Sequence, residues 1–134
     1  MTTVGDRLPS AAYVMDTTRI VAGALASRDF MPVHHDKAYA IDHGSPDVFM
    51  NIMSTNGYCS RYLTDWAGPD AMLRSLSIRL GVPVYPGTTL RFEGEITAVD
   101  QQPGEQVVEV SFTASTEHGD HATGSASLSI LADS

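Results

Sequence analysis

The run Arg28-Asp29-Phe30-Met31-Pro32-Val33-His34-His35-Asp36-Lys37 is the densest group of titratable side chains in the sequence. A carboxylate and an imidazole brought within a few ångströms can share one water molecule. One group takes a proton from the water while the other delivers a proton to a substrate. Histidine suits that work because its charge changes near neutral pH. Pro32 blocks helix continuation and stiffens the link between Asp29 and His34, so a turn there would fold the two groups toward one point. Two other readings use the same residues. A loop rich in His and Asp can be a solvated surface with no chemistry. Alternatively, His34, His35 and Asp36 could ligate a metal, although adjacent residues rarely aim at one ion without helical or strand spacing, and no metal site is expected.

A loop can hold such a pair only if the elements around it are rigid. Upstream, Tyr13-Val14-Met15 reads as a strand and Thr17–Ala26 as a short helix, with Asp16 as its cap. Downstream, Ser45-Pro46-Asp47 has the form of a helix start: a hydroxyl cap, a proline at the first helical position and an acid in the first turn. Val48, Phe49, Ile52, Met53, Cys59, Tyr62, Leu63 and Trp66 follow at three- and four-residue spacing, and Ala67-Gly68-Pro69 supplies the stop. The expectation is a helix of about 20 residues, roughly 30 Å long. Few charges lie on its other side, so both sides should be covered.

The second half of the chain reads in twos. Leu76, Ile78 and Leu80 alternate with polar residues, as do Leu90, Phe92, Ile96 and Ala98; Val108, Val110, Phe112 and Ala114; and Ala126, Leu128 and Ile130. Pro86-Gly87, Gln102-Pro103-Gly104 and Glu117-His118-Gly119-Asp120 mark the turns. This pattern predicts a meander of about four antiparallel strands with one face buried. A long apolar helix followed by such a meander predicts an α+β architecture, a curved sheet wrapped around a central helix, in one domain spanning 1–134. The free sheet edges predict a dimer, or a pseudo-dimer with a related chain.

Composition narrows the partners. Eight Lys+Arg against 16 Asp+Glu give a net charge of −8, which argues against nucleic acid and anionic membranes. The single cysteine, Cys59, excludes an internal disulfide and a Cys-based zinc site, and its place on the helix reads as core packing. No apolar run approaches the roughly 20 residues that cross a bilayer, and the expectation is a cytoplasmic protein. No glycine loop of the phosphate-cradling kind is present, so no cofactor is expected.

The string Asp29…Pro32…His34…Asp36…Ala40…Gly44 resembles the D-x-x-P-x-H-x-D-x-x-x-A-x-x-x-G signature of the MaoC-like (R)-specific enoyl-CoA hydratases. The resemblance runs from about Thr17 to Leu131. Arg28-Asp29-Phe30, Val33-His34-His35-Asp36, Tyr62–Pro69, Arg79–Pro83 and Gly119-Asp120-His121 are similar to the small subunits of the two-subunit enoyl-CoA hydratases with which actinobacteria shorten steroid side chains. The resemblance implies a hotdog fold. It also implies addition of water across the C2–C3 double bond of a bulky 2-enoyl-CoA, such as a steroid side-chain thioester of cholesterol catabolism, with Asp29 and His34 activating the water and moving the proton. A glycine amide in the central helix polarises the thioester carbonyl in the family, which points to Gly57 in the pair Asn56-Gly57. Asn56, Pro32 and Met31 are the implied substrate-binding neighbours. Two positions depart from the family: Met31 replaces an asparagine, and Asn56 replaces a histidine. The implied partner is a larger MaoC-like subunit, giving a heterodimer or α2β2 heterotetramer. CoA phosphates would need cations such as Arg74, Arg79 or Arg91, or groups from that partner.

Two alternatives stand beside this. A hotdog acyl-CoA thioesterase would need a carboxylate aimed from the central helix, where only Asp47 and Asp65 are available. A non-catalytic subunit would bind acyl-CoA or only stabilise its partner. His35 is read as a solvated neighbour of the pair, and His43, His118 and His121 as structural or surface residues.

Overall fold

A computed structural model describes residues 2–132, so Met1, Asp133 and Ser134 of the expected 1–134 domain lie outside the described residues. The elements run β1 (Arg7–Met15), α1 (Thr17–Ala26), a 3-10 turn (Pro32–His34), α2 (Lys37–Asp42), α3 (Ile52–Ala67), β2 (Ala71–Leu80), β3 (Thr88–Gln102), β4 (Glu105–Thr116) and β5 (Gly119–Leu131). The five strands form one sheet in the order β1-β3-β4-β5-β2, every neighbouring pair antiparallel. Only β3, β4 and β5 make the expected meander. β2 lies at the far edge against β5, so the chain crosses the sheet between β2 and β3. Register shifts fall at Leu8/Ala11, Leu73/Ser75, Ile96/Ala98 and Ala114/Ser115. Such irregularities bend strands and raise their twist, which lets a five-stranded sheet curl around a helix. This is the hotdog architecture.

The alternation decides which side of the sheet is dry. Along β3, Leu90, Phe92, Gly94 and Ile96 are buried while Arg91, Glu93, Glu95 and Thr97 are exposed. On β4, Val108, Val110, Phe112 and Ala114 repeat the pattern. These side chains meet Thr55, Cys59, Tyr62 and Leu63, the buried stripe of α3 at i, i+4, i+7 and i+8. Phe92 is central, stacked on Tyr62 at 5.1 Å and edge-on to Tyr13 at 5.8 Å. Burial pushes the Cys59 thiol up to about 12, as befits a core residue.

The central helix begins later than the sequence predicts. Ser45–Met50 is not helical, and α3 starts at Ile52 behind Asn51 as cap, leaving 16 residues, or about 24 Å. The cause is tertiary. The Phe49 N–H donates to Val33 O and the Met50 N–H to Val84 O, so both are committed away from any helix. Asp47 does not cap one either: its Oδ1 accepts from the N–H of Val48, and its Oδ2 lies 3.5 Å from Lys37 Nζ. Within the chain only one side of α3 is covered, and Ile52, Met53, Gly57 and Arg61 are exposed. A further element escaped prediction: Asp36 caps α2 by accepting from the N–H of Tyr39.

Phe92→Ala should cost about 3–5 kcal/mol through lost burial and the cavity left behind. Urea unfolding followed by circular dichroism measures it, with a lower midpoint and an unchanged slope expected.

Candidate active site

Asp29 and His34 converge, and each is placed by local backbone chemistry. Helix α1 ends in a Schellman motif: the Asp29 N–H donates to Ala24 O at 2.9 Å, and the Arg28 N–H donates to Leu25 O at 3.1 Å. Arg28 occupies the left-handed position at φ 57°, where glycine is usual, and this reverses the chain so that Asp29 leaves the end of α1. Pro32 then opens the 3-10 turn, its fixed φ suiting the first position. The His34 N–H donates to Met31 O at 3.1 Å, returning the imidazole toward the carboxylate. His34 Nε2 ends 3.3 Å from Asp29 Oδ2. The His34 side chain is 9% exposed and that of Asp29 31%.

The tautomer of His34 follows from its other nitrogen. Nδ1 lies 2.7 Å from Phe49 O, and a carbonyl can only accept, so Nδ1 carries the hydrogen. In the neutral ring Nε2 is therefore a lone pair facing a carboxylate oxygen. Two acceptors at 3.3 Å do not bond to each other; they need a shared proton or a water that donates to both. Phe49 also packs edge-on to the imidazole, with ring centroids 4.9 Å apart, and so limits its rotation.

Behind Asp29 lies a residue that sequence reasoning missed. Asn51 is 1% exposed, and its Nδ2 donates to Asp29 Oδ2 at 3.2 Å and to Ser27 Oγ at 2.9 Å. Its Oδ1 accepts from the N–H of Ser54 at 3.3 Å and from the Ser54 hydroxyl. An asparagine directly before an apolar helical run is a cap signal in its own right, but Ser45-Pro46-Asp47 gave a stronger one upstream. Beyond Asn51, His121 is buried between Val82 O (2.7 Å from Nδ1) and Thr55 Oγ1 (2.8 Å from Nε2). It serves α3 as a structural tie and takes no part in the pair.

A cavity of about 350 Å³ opens beside Ser27, lined by Gly23, Ala26 and Ser27 on one side and Met53, Ser54 and Gly57 on the other. At Gly23 the two helices are so close that a Cβ would run into Ser54 Oγ. Gly57 faces open space in this cavity. It is the sixth residue of α3, past the free first-turn amides. Asn56 is off the stripe formed by Met53, Gly57 and Arg61 and does not line the cavity. Met31 is exposed and reaches the pair through its backbone, its N–H donating to Asp29 Oδ1 at 3.4 Å. Pro32 contributes through the turn. His35 is exposed, and among the described residues no His, Cys, Asp or Glu cluster could hold a metal. Asp47 is engaged by Lys37, and Asp65 sits exposed beside Arg61 at 3.5 Å, so neither carboxylate aims at a mid-helix thioester. Arg74 pairs with Glu105, Arg79 and Arg91 lie on exposed strand positions, and none of the three lines the cavity.

The family described as MaoC like domain matches residues 3–118. The chain is 45% identical over 130 residues to the 3-oxo-4,17-pregnadiene-20-carboxyl-CoA hydratase beta subunit of Mycobacterium tuberculosis, covering 97% of this chain and 98% of that one. Its structure superposes on a chain of the ChsH1-ChsH2 complex from the same organism with a TM-score of 0.91, at 45% identity, covering 97% of this chain and 99% of the other. The (R)-hydratase of A. caviae, involved in PHA biosynthesis, shares the fold with a TM-score of 0.84 over 95% of this chain and 96% of that one, at 22% identity.

Burial pushes the His121 imidazole below its ordinary range, outweighing the hydrogen bond to Val82 O. The unfolded chain therefore takes up this proton first, and the stability present above about pH 6.5 is lost as pH falls toward the folded-state titration. Unfolding free energy measured from pH 7.5 to 5 should fall more steeply in the wild type than in His121→Asn, by at most about 1.4 kcal/mol per pH unit. Equal slopes would contradict the assignment.

Proposed function

The chain belongs to the MaoC-like domain family, and on that footing we propose that it is the catalytic subunit of a hydro-lyase adding water across the C2–C3 double bond of a bulky 2-enoyl-CoA thioester. The observation that carries the reading is the 3.3 Å approach of Asp29 Oδ2 and His34 Nε2, with the imidazole fixed as the Nδ1–H tautomer by Phe49 O. A water between them gives one proton to His34 Nε2 as its oxygen bonds to C3. The electron pair of the double bond moves toward the thioester, and the pair returns the proton to C2. The imidazolium formed meanwhile is stabilised by the Asp29 carboxylate and the Phe49 carbonyl. The N-terminal end of α3 offers a positive dipole for the developing enolate, and Gly57 leaves room for the acyl chain beside it.

A steroid side-chain CoA thioester is the proposed substrate, supported by the pregnadiene-carboxyl-CoA named for the M. tuberculosis relative. The proposed partner is a larger MaoC-like chain, in a heterodimer or α2β2 heterotetramer. The two-chain complex of the structural relative supports this, as does the exposure of Phe30 (63%), Met31 and Met53 (56%) around the pair. Apolar side chains there give a partner or an acyl group something to cover, and water exclusion strengthens the charge effects the reaction needs. The engaged positions of Asp47 and Asp65 disfavour the thioesterase alternative.

The test is hydration of long-chain and steroidal enoyl-CoAs by the complex purified after co-expression with its partner. Asp29→Asn and His34→Ala should each lower turnover by about 10²–10⁴-fold while circular dichroism stays unchanged. Near-wild-type hydration by the double variant would refute the assignment. Release of free CoA thiol instead of hydration would point to the thioesterase.

A further inference from the structure

We propose that Asn51 is the positioning residue of the Asp29–His34 pair, its amide holding Asp29 Oδ2 as a proton acceptor turned toward His34. This rests on the reading of Asp29 and His34 given above and adds the group that directs them.

The orientation of the Asn51 amide is forced by its neighbours. The N–H of Ser54 can only donate, so the atom facing it is Oδ1, and Nδ2 faces Ser27 and Asp29. The Ser27 hydroxyl already donates to Gly23 O at 2.7 Å, which leaves its oxygen to accept one Nδ2 hydrogen. The second Nδ2 hydrogen has one acceptor, Asp29 Oδ2, the oxygen that also faces His34 Nε2. Asn51 thus fixes the oxygen of Asp29 that faces His34 by occupying one of its lone pairs. The pair is then left with one carboxylate acceptor and one imidazole lone pair, the arrangement that holds a water by both its hydrogens.

The amide is rigid as well as oriented. Asn51 is 1% exposed, and its side chain makes four hydrogen bonds, so each alternative rotamer would bury unpaired polar atoms. Its backbone carbonyl accepts from the N–H of Thr55, and the Thr55 hydroxyl is tied to His121 from the sheet. The cap of α3 and the clamp on the carboxylate are thus one residue.

Capping alone would make Asn51 a purely structural residue, and substitution separates the two roles. Aspartate and serine cap a helix about as well as asparagine, but neither supplies the amide donor. In the co-purified complex, assayed well below the melting temperature of each variant, Asn51→Ser keeps the cap but lacks the amide donor and should lose at least about tenfold in kcat with KM little changed. Asn51→Asp places a carboxylate against a carboxylate and should move the acid limb of the kcat profile upward by about one pH unit. Titration of the Asp29 carboxyl carbon followed by NMR should move the same way, a readout that needs no turnover. Wild-type kcat and an unmoved pH profile in both variants would overturn the proposal. Asp29→Asn, assayed beside them, separates the failures. If it is inactive while both Asn51 variants behave as wild type, only the positioning role falls. If it remains active, the catalytic reading falls with it.

Discussion

A polar group that cannot reach water must find a partner inside the protein or cost several kcal/mol, and this constraint organises the junction of α1, the 3-10 turn and α3. Among the described residues no buried side-chain nitrogen or oxygen lacks a partner. Asn51 meets the requirement by bridging Ser27, Asp29 and Ser54, and His34 meets it through Phe49 O. The partners come from segments far apart in sequence, so satisfying them locks three elements together. The side-chain positions that suit chemistry are the ones that leave no buried group orphaned.

The rest of the fold serves this junction. The curled sheet buries the Thr55–Cys59–Tyr62–Leu63 stripe of α3 and fixes the helix axis, while His121 ties its first turn to Val82. Gly23 lets α1 come close enough for Ser27 to reach Asn51. The opposite side of α3 stays open, with Met53 and Gly57 facing the cavity. One side of the helix thus provides stability and the other provides room, and a covering subunit is consistent with that division.

Much of this was legible in the sequence because it is written in local periodicity. Alternation in β3, β4 and β5 named the buried residues, and Asp16 marked the start of α1. Pro32 between Asp29 and His34 announced a turn, and the turn is there. What stayed hidden depends on long-range pairing. Ser45-Pro46-Asp47 has every local mark of a helix start, yet Val33 O and Val84 O claim the following amides and delay α3 to Asn51. That displacement concealed Asn51, whose partner Asp29 lies 22 positions away. The edge position of β2 was equally unreadable, since its alternation matches that of a meander strand.

The central claim is that Asp29 and His34 jointly hold the water that reacts. A crystal structure of the complex with an unreactive saturated CoA thioester tests it most directly. The account predicts an ordered water within hydrogen-bond reach of both Asp29 Oδ2 and His34 Nε2, about 3–3.5 Å from C3 of the acyl chain. A thioester bound with C2 and C3 remote from the pair, or a water held by neither group, would contradict it.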